Sequence, residues 1–474
     1  MQAGLIGLGV MGRNLALNLH DKGHQVIATD SWESARAWSA AGIEVVGGHA
    51  ELVARLDAPR VVLLMVKAGE QVDKEIATII AHLVPGDTII DLGNSYYRDT
   101  ERRSAELAGR GFGYLGIGIS GGAEGARHGA ALMAGGGASD WARAKQLLSD
   151  VAAKAQDGTP TIDHFGPGGS GHFVKMVHNG IEYAIMQAIG EAHAVMRDVL
   201  GLGDEEIAEH ITRWGTSGAG AGFLLEITAE IVQARDALTG AAMLPLIDDA
   251  AGQKGTGSWT AAAAVEHSVP ATAIMEALAA RQVSGQAAQR ALARNGADSG
   301  AAQPRPIDDA GRLVGDLEAA LTATMITALG QGVQIFAAAS ADNGWRKDVS
   351  SLLRVWRAGS ILRMGILDSI ADALDDAGDN DAGSDLFLVP QIVDRMLAAR
   401  PAWRRAVSAA VLGGSPAPVV AAALNHVESL ATEPLATQLV QGQRDRFGAH
   451  GFRRTDRAGD FHGPWVQPDE EATK

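Results

Sequence analysis

Leu5-Ile6-Gly7-Leu8-Gly9-Val10-Met11-Gly12 decides the fold of the first part of this chain. A short apolar run leads into glycines spaced G-x-G-x-x-G, and Asn14 to Lys22 then reads as an amphipathic helix. A second apolar run, Gln25 to Thr29, ends in Asp30. Glycines at this spacing permit a tight turn, close approach of backbone to a pyrophosphate, and close packing of helix on strand. The phosphates then meet the positive end of the helix. An acid closing the second strand can bond the adenosine ribose hydroxyls. The order strand, glycine loop, helix, strand, acid predicts a dinucleotide site built from Gly7, Gly9, Val10, Met11, Gly12 and Asp30. A carboxylate at Asp30, followed by Ser31 and Trp32 with no compensating Arg, repels a 2′-phosphate. NAD is therefore expected over NADP, although Asp30 could also serve as a helix N-cap.

Outward from this unit the pattern repeats. Val61 to Val66, Thr88 to Asp91, Tyr114 to Ile117 and Ala131 to Met133 read as strands, and Gln71 to His82 as a helix between two of them. Alternation of this kind predicts an α/β, Rossmann-type, doubly wound and mainly parallel sheet. Near Gly166-Pro167-Gly168-Gly169 the text changes, and from Gly171 Ala- and Leu-rich helical stretches dominate. A loop is expected over Asn295 to Ile307. The expected division is a dinucleotide domain over 1–170, a large all-α domain over 171–435, and a tail over 436–474, ordered but with turns at Gly448 and Gly451 rather than another helix. Gly190 and Trp214 recur as Gly332 and Trp356 at the same separation, which suggests an internal duplication of the helical part.

With 474 residues, 46% hydrophobic and 20% charged, the chain can bury sizeable cores. A net charge of −16 argues against nucleic acid or an anionic membrane surface as partner. An anionic substrate then needs its own cluster of Arg and Lys. Without cysteine there are no disulfides or thiolate metal sites, and no metal is expected. No leader-like N-terminus and no uninterrupted apolar run of transmembrane length are evident, so a cytoplasmic protein is expected.

The most informative later stretch is Gly171 to Tyr183. On a helix, Lys175, His178, Asn179, Glu182 and Tyr183 share one stripe, while Met176, Val177, Ile181, Ala184 and Ile185 occupy the other faces. A helix apolar on most sides is buried, so its polar stripe faces something other than bulk water. A buried Lys with a Glu two turns on suits acid–base chemistry, because desolvation lowers the Lys pKa; an internal salt-bridge network is the alternative. Ser120-Gly121-Gly122 and Asn94 stand at strand ends, where free N–H groups can meet a carboxylate or phosphate. Gly252-Gln253-Lys254-Gly255-Thr256-Gly257 offers a cation and a hydroxyl on a Gly-rich loop, without P-loop spacing. Arg281 and Arg444 add cations that, taken singly, read as solvated surface charges rather than ligands.

Taken together, these stretches, with Val66-Lys67-Ala68, Gly93-Asn94-Ser95, Glu124-Gly125-Ala126-Arg127 and Arg444 to His450, resemble the decarboxylating 6-phosphogluconate dehydrogenases over nearly the whole chain. The resemblance implies oxidation and decarboxylation of 6-phosphogluconate to ribulose 5-phosphate, in the pentose phosphate pathway and gluconate utilization. Lys175 would be the base at the 3-hydroxyl and Glu182 the acid that protonates C1. Val66, Lys67, Ala68 and Asn94 would join the cofactor site. Asn94, Ser120, Gly121, Gly122, His178 and Asn179 would hold the carboxylate and hydroxyls. Tyr183, Lys254, Thr256, Arg281 and Arg444 would hold the phosphate, with His450 closing the site. The tail would come from the partner subunit of a homodimer with shared sites. The commoner, NADP-using pattern has Asn-Arg-Thr in place of Asp30-Ser31-Trp32, and often Ala in place of Gly9. The competing readings are a β-hydroxyacid dehydrogenase acting on a non-phosphorylated substrate, and a catalytically silent dinucleotide-binding protein.

Overall fold

The apolar runs pair into one sheet. A computed structural model describes residues 1–30, 42–297, 310–378 and 381–465. The strands are β1 (Gln2–Ile6), β2 (Gln25–Thr29), β3 (Glu44–Val45), β4 (Val61–Leu64), β5 (Thr88–Asp91), β6 (Gly113–Ser120), β7 (Ala131–Gly136) and β8 (Ile162–His164). Their order is β3-β2-β1-β4-β5-β6-β7-β8. Neighbours run parallel except β6 and β7, which are antiparallel, with Gly118 opposite Met133. The short edge strands β3 and β8, half-buried, were not anticipated, because neither is an apolar run. Helices α1 (Val10–Asp21), α2 (His49–Ala54), α3 (Glu70–Ile79), α4 (Tyr97–Ala108), α5 (Gly122–His128) and α6 (Ala138–Val151) connect the strands. Two apolar clusters form: Leu5, Leu15, Leu63 and Leu147 belong to one, Ile6, Leu52, Leu64 and Ile79 to the other. Side chains of one strand thus feed different clusters by alternation, as a sheet covered on both faces requires.

The chain order reverses at β1, with β2 on one side and β4 on the other. Such a switch point opens a crevice at the carboxyl ends of the strands. The glycine loop is shaped by contact: a Cβ on Gly12 would lie 1.9 Å from the Gly7 carbonyl oxygen, and Gly7 has φ +99°. Only glycine fits at either position. Gly9 meets nothing within 4 Å and faces open space.

Helices follow: α7 (Ser170–Ala194), α8 (Asp204–Thr216), α9 (Phe223–Gln233), α10 (Thr256–Glu266), α11 (Thr272–Ser284), α12 (Ala287–Ala297), α13 (Ala310–Asn343), α14 (Val349–Trp356), α15 (Leu367–Ala377), α16 (Pro390–Leu412) and α17 (Pro418–Leu430). The expected loop over Asn295 to Ile307 is corrected at its start, since α12 continues to Ala297; residues 298–309 lie outside the described part. Gly311–Asn343 is long and apolar enough to cross a membrane by composition, but 78% of its most apolar window is buried in the protein, as befits a core helix. The stretches read as a repeat run from Gly190 to Trp214 and, at one interval along the chain, from Gly332 to Trp356. Gly222 and Met364, separated by that same interval, form an antiparallel bridge. Phe223 N–H donates to the Arg363 carbonyl and Gly365 N–H to that of Ala221, the two bonds of that bridge. Trp214 and Trp356 are both buried.

Met1–Leu424 forms one compact unit and Asn425–Lys474 a second. In the second, α18 (Thr437–Gly448) precedes a small hairpin of β9 (Phe452–Arg453) and β10 (Asp460–Phe461). The tail contains a helix that the composition did not announce, with Arg444 on it, and the expected turns follow, Ala449 at φ +46° and Gly451 at φ +69°. Asp445 ties the helix to the hairpin: its carboxylate accepts from Gly451 N–H at 2.9 Å, Gly463 N–H at 2.8 Å and Trp465 Nε1 at 2.9 Å.

Candidate active site

The carboxyl ends of β1, β2 and β4 enclose a cleft of about 470 Å³, lined by Gly7, Gly9, Asp30, Val66, Lys67 and Glu75 among others. Asp30 accepts a hydrogen bond from Leu8 N–H within the glycine loop. Ser31 and Trp32 lie outside the described residues. His49 and Glu75, 2.7 Å apart, were not foreseen as cleft residues. No motif marks them; β3 and the start of α2 bring His49 there. Gly93, where a Cβ would lie 3.3 Å from the Val66 carbonyl oxygen, sets the Asn94 turn beside the Val66-Lys67-Ala68 loop. That turn is fixed by buried Asp91, which accepts from Ser95 Oγ at 2.6 Å, Tyr114 OH at 3.1 Å and Gly93 N–H at 3.0 Å. Asn94 itself is exposed.

Helix α7 carries the densest chemistry. Phe173, Val174, Val177, Ile181 and Ala184 are fully buried, as the stripe reading requires. Each large apolar side chain so buried contributes about 1.5–3 kcal/mol, which offsets desolvation of the polar stripe. The helix lies against β6, where Gly118 leaves room: a Cβ there would be 2.2 Å from the Cβ of Lys175. Lys175 is 5% exposed. Burial lowers its ammonium to about 8, against the opposing pull of Glu182. Burial also raises the Glu182 carboxyl, opposed by Lys175 and Arg281. Desolvation thus drives both groups towards neutrality, to an amine that can accept a proton and a carboxyl that can give one.

His178 lies between these groups. Its Nδ1 is 3.5 Å from Lys175 Nζ, 3.2 Å from Asn179 Oδ1 and 3.7 Å from Glu182 Oε2. Its Nε2 is 2.9 Å from Ser120 Oγ and 2.9 Å from Ser360 Oγ. Burial, then the charge of Lys175, holds the imidazole well below its ordinary range, so it is neutral. Further along the stripe, Tyr183 OH is 3.4 Å from Thr256 Oγ1. The Arg281 guanidinium stacks 3.7 Å over the Tyr183 ring and donates to the Gly252 carbonyl at 2.8 Å. Lys254 is exposed on the same loop.

The structure thus gathers Ser120, Lys175, His178, Asn179, Glu182, Tyr183, Thr256 and Arg281 around one helix. Gly121, with φ +108°, and Gly122 form the turn after Ser120. Arg444 and His450 belong to the second unit, where both are exposed. Sequence reasoning missed Ser360. Its signal was faint, a Gly359-Ser360 pair just after the repeated Trp356, whose ring lies edge-on to His178 at 5.5 Å.

Comparison with known proteins agrees with this geometry. Residues 2–162 match the NAD binding domain of 6-phosphogluconate dehydrogenase, and residues 171–465 match its C-terminal domain. The chain is 40% identical to a decarboxylating 6-phosphogluconate dehydrogenase of Oryza sativa subsp. japonica, covering 98% of this chain and 97% of that one. It is 41% identical to the Homo sapiens enzyme of that name, covering 98% and 96%. The structure of Plasmodium falciparum 6-phosphogluconate dehydrogenase, described with NADP+ and with 6-phosphogluconate, superposes with a TM-score of 0.91 at 34% identity, over 98% of this chain and 100% of that one. From its glycine loop to its helical domain, this chain belongs to the 6-phosphogluconate dehydrogenase family.

Proposed function

We propose that the protein oxidises and decarboxylates 6-phosphogluconate to ribulose 5-phosphate and CO2, reducing a nicotinamide dinucleotide, with NAD preferred. The observation that carries this reading is buried Lys175 and half-buried Glu182 on either side of His178, each driven towards its neutral form by desolvation. Residues 1–170 would hold the dinucleotide, through Gly7, Gly9, Val10, Met11, Gly12, Asp30, Val66, Lys67, Ala68 and Asn94. The side-chain-free surface at Gly9 and the cleft beside it suit a pyrophosphate. When bound, the nicotinamide supplies the acceptor for the hydride that leaves C3.

Neutral Lys175 takes the proton of the 3-hydroxyl as C3 becomes a carbonyl. Its ammonium form then hydrogen-bonds the new carbonyl oxygen. The C1–C2 bond breaks, CO2 departs, and its electron pair forms the C2=C3 bond of the enediol as the Lys175 ammonium gives its proton to the C3 oxygen. Glu182 then gives its proton to the carbon left at the chain end while Lys175 takes back the proton of the C3 hydroxyl, which yields the ketose. Asn94, Ser120, Gly121, Gly122, His178 and Asn179 orient the carboxylate and hydroxyls. Tyr183, Lys254, Thr256 and Arg281 receive the phosphate, and paired N–H groups make Arg well suited to that task.

The preference for NAD rests on the Asp30 carboxylate, with Glu75 in the same cleft. The Plasmodium falciparum relative is described with NADP+, so this chain's acid at the end of β2 is what separates the two expectations. The proposal extends to a cytoplasmic homodimer, in which residues 171–435 form the substrate and dimer domain. The tail, 436–474, then places Arg444 and His450 in the neighbour's site, as the family resemblance implies. To test the function, 6-phosphogluconate and a non-phosphorylated β-hydroxy acid are each supplied with NAD or NADP. Reduced cofactor with CO2 from the phosphorylated acid alone is expected. Turnover of the plain hydroxy acid alone, or of neither, would overturn the reading.

A further inference from the structure

The geometry points to Ser360 as a positioning residue: with Ser120 it fixes His178 as the tautomer protonated on Nδ1, and so keeps Lys175 able to act as a base. The inference rests on the acid–base role proposed above for Lys175.

Donors and acceptors around the imidazole decide its tautomer. Ser120 Oγ already accepts from Ile361 N–H at 3.2 Å, and Ser360 Oγ from Leu362 N–H at 3.0 Å. The two oxygens are 3.4 Å apart, and each is 2.9 Å from His178 Nε2. Each hydroxyl has one proton to donate and one further site at which to accept. With Nε2 bare, one hydroxyl donates to Nε2 and the other to its neighbouring oxygen, so every donor is placed. With Nε2 protonated, three protons share two oxygens, and one hydroxyl is left without an acceptor in a fully buried site. Leaving it so costs about 1–3 kcal/mol. At the other edge of the ring, Asn179 Oδ1 lies 3.2 Å from Nδ1, an acceptor that asks for a proton there.

The tautomer matters because Lys175 Nζ is 3.5 Å from Nδ1. A bare Nδ1 would accept from the ammonium and stabilise it. An Nδ1–H faces the amine as a donor and favours its neutral form. The titratable groups facing this pair are Glu182 on the same helix, 3.7 Å from Nδ1, and Arg281 of α11, whose charge acts on Glu182. β6 contributes the Ser120 hydroxyl, and the segment after α14 contributes Ser360 and backbone N–H groups. Ser360 follows α14 and the stripe lies on α7, so two segments 182 residues apart in the chain meet at one ring.

The test is ¹⁵N NMR of histidine-labelled full-length enzyme, with His178 assigned by its loss in His178→Gln. Nε2 should resonate as a bare, pyridine-type nitrogen and Nδ1 as a protonated one. Replacing both hydroxyls, Ser120→Ala with Ser360→Ala, should shift both nitrogens towards a mixture and should raise the acid limb of kcat/KM against pH by about half to one unit, whereas either single variant leaves one hydroxyl to hold Nε2 bare. A protonated Nε2 in the wild type overturns the proposal, even if the double variant fails to fold. So does a double variant in which the spectrum or the limb stays where it was. The wild-type spectrum is read without substrate, so failure of the proposed reaction would leave the tautomer assignment standing.

Discussion

Replacing Gly118 by Ala tests whether the seat of α7 on the sheet sets the position of Lys175. Gly118 sits in β6 opposite Met133, in ordinary strand conformation, so alanine brings no backbone strain. Its Cβ would lie 2.2 Å from Lys175 Cβ and 2.8 Å from Cγ. Ordinary contact begins at 3.4 Å, so helix and strand must part by about 1.2 Å. The clash falls at the root of the lysine, and rotation of the side chain alone cannot relieve it. Overpacking of this kind costs about 1–3 kcal/mol of stability. A displacement near 1 Å at a reacting group costs roughly 10²-fold in rate. We expect Gly118→Ala to unfold at lower temperature and to lose kcat on about that scale, with dinucleotide affinity unchanged because the cleft lies at the ends of β1, β2 and β4. The assays are thermal denaturation, steady-state reduction of the nicotinamide, and cofactor titration. A folded variant with near-normal kcat and unshifted stability would refute the reasoning.

Lys175 is active as the neutral amine, so kcat/KM should fall about tenfold per unit as pH drops below its value near 8. Glu182 raises that value, so Glu182→Gln should move the limb to lower pH; a limb that moves up, or a flat profile, contradicts the assignment. Kinetics at one ionic strength should favour NAD over NADP, and a tenfold preference needs only about 1.4 kcal/mol. Asp30→Asn should narrow the difference; equal or better efficiency of the wild type with NADP counts against the idea. Inactive Lys175→Ala and inactive Arg444→Ala subunits should regain activity on mixing, because each heterodimer then carries one intact site. Confirmed exchange without recovery would end the shared-site proposal.

The fold was legible where period and glycine spacing are strong. Gly7 and Gly12 follow from contacts that exclude a Cβ, and the buried faces of α7 follow from its apolar text. β3 and β8 were not legible, because strands of two or three half-buried residues at a sheet edge carry no pattern. The helix over Thr437–Gly448 was hidden by its polar composition; Asp445, bonded to the following hairpin, ties it down. Candidate site residues on α7 could be read because helical spacing lines them up. Ser360 could not, since its role depends on bringing the segment after Trp356 against a ring far earlier in the chain. His49 and Glu75 enter the cofactor cleft for the same reason, through strand order rather than local sequence.

One buried amine, Lys175, and one half-buried carboxyl, Glu182, couple oxidation to loss of CO2 in the proposed reaction. The most direct measurement is turnover of 6-phosphogluconate in deuterated water, following reduced nicotinamide, CO2 and the isotope content of the ketose. The account predicts equal amounts of all three products, one solvent deuteron at C1, and Lys175→Ala reduced in turnover by roughly 10²–10⁴-fold. Reduced nicotinamide without CO2, or a Lys175→Ala variant that turns over normally, would contradict it.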